Sequence, residues 1–390
     1  MPRPPRPAAH LQWVPPSVYS SLAHRLERFQ GENYPLHVGD TWMEPPVGCR
    51  MEDLRVADHP GMHRYTSVHG LPALLDVIVE RERAKSGLEL ERENVLIAAG
   101  ATGGLGAVAG AILDPGDEVL ILAPYWPLIE GIVRSFHGRP VAVPILGRAD
   151  SPRTVEEAVA AVEAARTQRT VALYISSPNN PSGRVLPRSW IEAFVELARR
   201  RDLWLISDEV YEPFVYLGAH TPALPLAPER TFLAQTFSKA YGMAGNRCGY
   251  IVGPRAVMSE LRKVSTHTFY STPTAAQLAA LEAVRGPGDE WAAAARRQYA
   301  DTGRRAARRL GVEPPEGSTF LFFDVERHLG ARGLPGLLER AVDRGLLVAP
   351  GSSFGPYPTH LRLCYTAVEP ERALRGVEVL VDLLQNESPT

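Results

Sequence analysis

The stretch TVALYISSPNNPSGRVLPRSWIEAFVELARRRDLWLISDEVY, residues 170–211, decides the fold. Its opening run, TVALYIS (170–176), is apolar almost throughout, and so is its closing run, LWLIS (203–207). Between them SWIEAFVELARRR (189–201) has helical patterning. A strand that is apolar on both faces needs cover on both, and helices between such strands supply it.

The same alternation extends outward. VLIAA (95–99), EVLILA (118–123), PVAVPI (140–145), FLAQTF (232–237) and GYIVG (249–253) read as further buried strands, and EEAVAAVEAA (156–165) as another helix. The fold class is α/β, with a mostly parallel sheet covered by helices. The last hundred residues change character. A long Arg/Ala-rich helix (about 289–310) leads to FLFFDV (320–325), a helix near 335–344, LLVAPG (346–351), LRLCYT (361–366) and a final helix from Glu369. These form a smaller α+β domain. The expected division is a flexible arm at 1–16, an N-terminal part of the small domain at 17–50, a large cofactor-binding domain at 51–288, the C-terminal small domain at 289–385 and a tail at 386–390.

Composition narrows the class. The chain has 390 residues, 45% of them hydrophobic and 22% charged, so it can bury a large core. A net charge of −2 gives no overall basic field for nucleic acid. There is no apolar run of about 18 residues, so no membrane-spanning helix is expected. The opening MPRPPRPAAH lacks the apolar centre of a signal peptide. Cys49, Cys248 and Cys364 show no CxxC spacing, which points to a reducing, cytoplasmic setting and no zinc ribbon. His59 and His63 are four apart, but Pro60-Gly61 breaks the helix such a metal pair would need, so no metal is expected. Of 42 basic side chains only Lys85, Lys239 and Lys263 are lysines. Chemistry that needs an amine has three candidates.

In open α/β sheets ligands bind beyond the carboxyl ends of the strands. There the sequence places Gly100–Gly104, Pro124-Tyr125-Trp126, Ser177–Gly183, Asp208–Tyr211 and Ser238-Lys239. Small residues before a helix let backbone N–H groups approach a phosphate, although a glycine turn can also be purely structural. GATGGLG (100–106) also fits the dinucleotide turn of short-chain dehydrogenases. That chemistry needs a YxxxK, and Arg81, Gln235 and Ser259 stand four before the lysines. GSSFG (351–355) matches the hydrolase GxSxG, but Pro356 and Pro358 forbid the helix that must follow. Lys85 and Lys263 sit in polar helical contexts. Lys239 closes an apolar strand, where partial desolvation favours the neutral, nucleophilic amine.

TFSKAYGMAGNRCGY (236–250) resembles the lysine segment of class I/II aminotransferases, pyridoxal-phosphate enzymes of fold type I. SSPNNPSG (176–183), SDEVY (207–211), PYW (124–126), PGSSFG (350–355) and LRLCYT (361–366) match the same family in order, and LHVGD (36–40) and RYTSVHGLPAL (64–74) fit its N-terminal part. The resemblance covers residues 17–385. It implies a pyridoxal 5'-phosphate cofactor and ping-pong transfer of an amino group from an L-α-amino acid to a 2-oxo acid. Another reaction of the same cofactor, β-elimination or cyclisation, is the alternative. It further implies that Lys239 forms the Schiff base and shuttles the Cα proton, and that Asp208 pairs with the pyridine nitrogen. Asn180 and Tyr211 would hydrogen-bond the ring's phenolic oxygen, and Trp126 would stack on the ring. Ala101, Thr102, Thr236, Ser238 and Arg247 would hold the phosphate, joined by Tyr65 from the neighbouring subunit of a homodimer. Arg362 would clamp the substrate α-carboxylate, with Gly39 and Asn180 beside it.

In one aspartate-aminotransferase subgroup of the family a lysine stands at the place of Thr102 and takes the distal carboxylate. Here that cation is absent, and Trp42 and Tyr125 suggest an apolar or aromatic mouth. The expectation is a preference for neutral or aromatic side chains over aspartate.

Overall fold

In the computed structural model, which describes residues 5–15, 22–147 and 150–386, the first strand, β1 (Tyr34–Pro35), belongs to the smaller of two layered regions. The central sheet follows: β2 (Val95–Ala98), β3 (Glu118–Ala123), β4 (Arg139–Pro144), β5 (Thr170–Ser176), β6 (Trp204–Asp208), β7 (Thr231–Thr236) and β8 (Gly249–Val252). Its order is β2-β8-β7-β6-β5-β3-β4. Only β8 runs against its neighbours, pairing antiparallel with both β2 and β7. The fold is therefore α/β with a large, mostly parallel sheet.

Strand alternation feeds two cores. Val119 and Ile121 of β3 join Tyr174, Ile206 and Phe232 under the helices Gly100–Ile112 and Arg255–Thr268. Leu120 and Leu122 join Leu173, Ile175 and Leu205 under the helices Val155–Ala165 and Arg188–Arg200. The central strands β3, β5 and β6 are apolar on both sides because each side has its own helical cover.

The second region holds β9 (Phe320–Asp324), β10 (Leu346–Leu347), β11 (Ala349–Pro350) and β12 (His360–Cys364). β12 lies between β11 and β9, antiparallel to both, while β1 pairs in parallel with β10. Tyr34 and Leu36 enter one hydrophobic core with Phe320, Leu361 and the helix Pro370–Asn386. The helix Gly288–Leu310 also contributes to this core.

Of the expected arm at 1–16, residues 1–4 and 16 lie outside the described residues, as do 387–390 of the expected tail. Within the arm, Ala9–Trp13 forms a 3-10 turn against the helix Leu128–Ser135, with the His10 ring 4.5 Å from that of His137. No helix among the described residues is long and apolar enough to cross a membrane.

Candidate active site

The parallel strands deliver their carboxyl ends to one edge of the sheet. Because β8 is reversed, its amino end arrives at that same edge. One cavity of about 520 Å3 opens there and extends to β12 of the second region. It is lined by every residue expected at the site except Tyr65. The Tyr65 side chain is 88% exposed and meets Tyr270 edge-on at 5.2 Å.

Lys239 does not end the strand, as the sequence suggested. It follows β7 in a short helical turn, Phe237–Ala240, whose start is capped by the Thr236 hydroxyl accepting from the Ser238 N–H at 3.2 Å. The turn aims the amine into the cavity, where Nζ donates to the Gly39 carbonyl. Burial lowers the Lys239 pKa, against the pull of the nearby Asp40 charge. Such a shift raises the neutral fraction of the amine.

Asp208 ends β6 and is buried. Burial pushes its carboxyl up to about 6, while hydrogen bonds from the Tyr174 hydroxyl and the Val210 N–H oppose the rise. The Tyr174 donor lies 2.5 Å from Oδ2. Tyr211 is buried too, and burial raises its phenol well above the ordinary range.

At the other end of the cavity the helix Gly100–Ile112 starts directly after β2, with no side chain capping its first turn. Arg247 faces that turn, donating to the carbonyls of Ala244 (2.8 Å) and Ala99 (3.4 Å). Gly100, at φ +70°, is required here, since a Cβ on it would stand 2.5 Å from Arg247 Nη2. The hydroxyls of Thr236 and Ser238, 2.9 Å apart, complete this donor-rich corner.

Arg362 sits in the middle of β12, opposite Phe322 and Ala349. Its guanidinium lies 4.5 Å from the Phe320 ring centre and 4.6 Å from that of Phe354. Nη1 donates to Asn180 Oδ1 at 3.1 Å, and Nη2 donates to the His37 carbonyl at 2.5 Å. Two aromatic faces and two fixed acceptors hold the fork in one orientation.

Sequence reasoning did not single out Tyr174, His37, Phe320 or Phe354. Tyr174 stands in an apolar strand where it reads as core, and the phenylalanines gave no signal apart from burial. His37 is the second residue of the quoted LHVGD motif, where only Gly39 was given a role. It lines the cavity, and burial together with the Arg362 charge lowers its imidazole to about 4, so it is neutral near pH 7. Two aromatic residues behave otherwise than expected. Tyr125 is buried with its hydroxyl donating to Glu130 at 3.0 Å, and neither it nor Trp42 lines the cavity. Trp126, Phe354 and Tyr211 supply the aromatic wall instead.

The family model for aminotransferase class I and II matches residues 33–380. A probable aspartate/prephenate aminotransferase of Thermus aquaticus is 36% identical over 335 residues, covering 83% of this chain and 85% of that protein. An arginine–pyruvate transaminase of Pseudomonas aeruginosa is 36% identical over 359 residues, covering 88% of each. The solved structure of Thermus thermophilus aspartate aminotransferase with maleate superposes with a TM-score of 0.87 at 32% identity, over 96% of this chain and 99% of that one. The strand order, the lysine turn and the matched length agree with one another, and the chain belongs to the class I and II aminotransferases, a family of pyridoxal-phosphate enzymes.

Proposed function

We propose that this cavity holds pyridoxal 5'-phosphate and that the protein uses it, in two half-reactions, to move the amino group of an L-α-amino acid to a 2-oxo acid. One observation carries the reading. A single cavity combines an amine of lowered basicity, a buried carboxylate and a cluster of anion donors, at Lys239, Asp208 and Arg247.

The residues fit the cofactor. The close approach of the Arg247 guanidinium to Gly100, the uncapped first turn at Ala101 and Thr102 and the hydroxyls of Thr236 and Ser238 suit a phosphate. Trp126 offers a ring face, Asn180 and Tyr211 offer polar groups for a phenolic oxygen, and Asp208 offers a carboxylate for a ring N–H. When bound, pyridoxal phosphate supplies an aldehyde carbon that an amine can bond and a ring that draws off the electron pair released at Cα.

The chain's own groups do the rest. Arg362 binds the substrate α-carboxylate through its fork and so orients the Cα–H bond. Gly39 keeps that clasp intact, since a Cβ on it would stand 2.8 Å from Cζ of Phe320, the ring beneath the guanidinium. Lys239, its amine made less basic by burial, would take the Cα proton on Nζ and deliver it across the substrate nitrogen to the cofactor's aldehyde carbon. Asp208 would hold positive charge at the ring nitrogen of the bound cofactor.

We further propose a homodimer in which Tyr65 of the partner subunit reaches the phosphate, consistent with the exposure of that side chain. The site then lies between a large domain (51–288) and a small one (17–50 with 289–385). Three buried, unpaired cysteines fit a cytoplasmic location.

The experiment is a half-reaction. Holoenzyme mixed with an amino acid alone should yield one 2-oxo acid per site and keep the nitrogen. A later 2-oxo acid should leave carrying that nitrogen, traced as 15N. Release of free ammonia during the first step would replace transamination by elimination.

A further inference from the structure

Asp208 is a buried carboxylate with no cation paired to it among the described residues. Among the described residues, two donors hold its ionised form. The Val210 N–H reaches Oδ1 at 3.4 Å, a long contact. The Tyr174 hydroxyl reaches Oδ2 at 2.5 Å, a short one. The sheet register explains the pairing. Tyr174 stands opposite Ile206 on the neighbouring strand, and Ser176 opposite Asp208. Tyr174 and Asp208 are therefore diagonal neighbours, and a tyrosine is long enough to cross that gap. Tyr174 has no exposed surface, and burial beside the Asp208 charge keeps its phenol protonated, hence a donor.

We propose that Tyr174 is a positioning residue that acts through Asp208, fixing the direction of its carboxylate and weakening its basicity. A hydrogen bond to one oxygen makes the carboxylate a poorer base. A proton shared between Asp208 and a bound ring nitrogen is then left on the nitrogen, the form that draws electrons most strongly. Without the phenol the carboxylate is a stronger base and is free to rotate. The shared proton moves toward Asp208, and the ring becomes an ordinary neutral pyridine. This inference rests on the cofactor reading above.

The test uses holoenzyme reconstituted with pyridoxal phosphate carrying 15N in the ring. Wild type should show the shift of a protonated nitrogen. Tyr174→Phe, which keeps the packing ring, should move the resonance toward neutral pyridine and weaken cofactor affinity roughly tenfold or more. Tyr174→Ile, a strand-compatible residue without the hydroxyl, should do the same if the first variant folds poorly. Tyr250→Phe is the control. It removes another buried strand phenol, the one that donates to Glu82 at 2.8 Å, and it should leave the 15N resonance in place. An unchanged resonance in Tyr174→Phe, or an equal shift in Tyr250→Phe, would overturn the assignment. Failure of wild type to bind the cofactor at all would instead overturn the functional reading beneath it.

Discussion

Arg362 and Asn180 are 182 positions apart in sequence, and their side chains meet in a 3.1 Å hydrogen bond that ties the small antiparallel sheet to a loop of the large one. That bond occupies one nitrogen of the fork and the His37 carbonyl the other, so a carboxylate docking on Arg362 would meet a guanidinium already held in place. Arg362→Lys keeps the charge but loses the planar fork and much of its fit between Phe320 and Phe354. The expected result is a KM for every amino donor raised roughly 10- to 100-fold, in line with about 1.5–3 kcal/mol for a charged hydrogen bond. Steady-state kinetics with several donors checks this. An effect confined to one donor would assign Arg362 to side-chain recognition instead.

Borohydride reduction of the holoenzyme should fix the cofactor to Lys239, readable by peptide mapping. Lys85 and Lys263 are committed elsewhere, Lys85 to Glu212 at 2.7 Å and Lys263 to Glu260 at 2.7 Å. A label on either would remove Lys239 from its role.

Asp208→Asn should trade activity for stability. Turnover should fall roughly 100-fold or more, about 3 kcal/mol of transition-state stabilisation. The apoprotein should respond the other way. Burial raises the Asp208 carboxyl to about 6, above its ordinary value near 4, so its contribution to folding is full below pH 4 and is lost as pH rises through 6. Asparagine has no such titration. Above pH 7 the variant apoprotein should be more stable than wild type by about 3 kcal/mol, and the gap should close toward pH 4. Denaturant midpoints of the two apoproteins across that range test the sign.

Gly100→Ala strains the backbone at a φ of +70° and pushes against Arg247. Cofactor affinity should drop by roughly tenfold, about 1.4 kcal/mol, with the amine chemistry at Lys239 unchanged once the site is saturated. Fluorescence titration of the apoprotein gives the first quantity, and turnover at saturating cofactor gives the second.

Aspartate should be a poor donor. The cationic side chains lining the cavity are Lys239, Arg247 and Arg362, and each has a proposed task that every substrate would require. A β-carboxylate placed beside Thr102, Leu105 and the neutral His37 is desolvated without a partner, which costs several kcal/mol. The comparison is kcat/KM for aspartate against phenylalanine, leucine and methionine with one 2-oxo acid. A tenfold advantage for aspartate would show that another cation, such as an arginine of the partner subunit, completes the pocket.

Much of this site was legible because its parts stand at strand ends, where apolar runs stop and polar residues begin. Asp208 after LWLIS and Lys239 after FLAQTF stand out by that contrast, and the scarcity of lysine sharpened the second. Tyr174 lacked the contrast. A tyrosine inside an apolar strand is indistinguishable from core until the register places its hydroxyl two positions along the neighbouring strand. The clasp on Arg362 was hidden for a similar reason, since Phe320 and Phe354 come from separate elements that only tertiary packing brings to the two faces of one guanidinium. The direction of β8 was equally silent, because the apolar run GYIVG reads the same whichever way it lies.

That reversed strand has a geometric result. Since β7 ends at the site edge and β8 begins there, the chain between them, residues 237–248, is a single excursion that begins and ends at the cavity. It carries both Lys239 and Arg247, the groups proposed for the two far ends of the cofactor. The separation between amine and guanidinium is thus set by one continuous length of backbone, a ruler anchored at both ends in the sheet. Lengthening or shortening that segment by a residue would mismatch both grips together, whereas Asp208 is fixed separately at the end of β6.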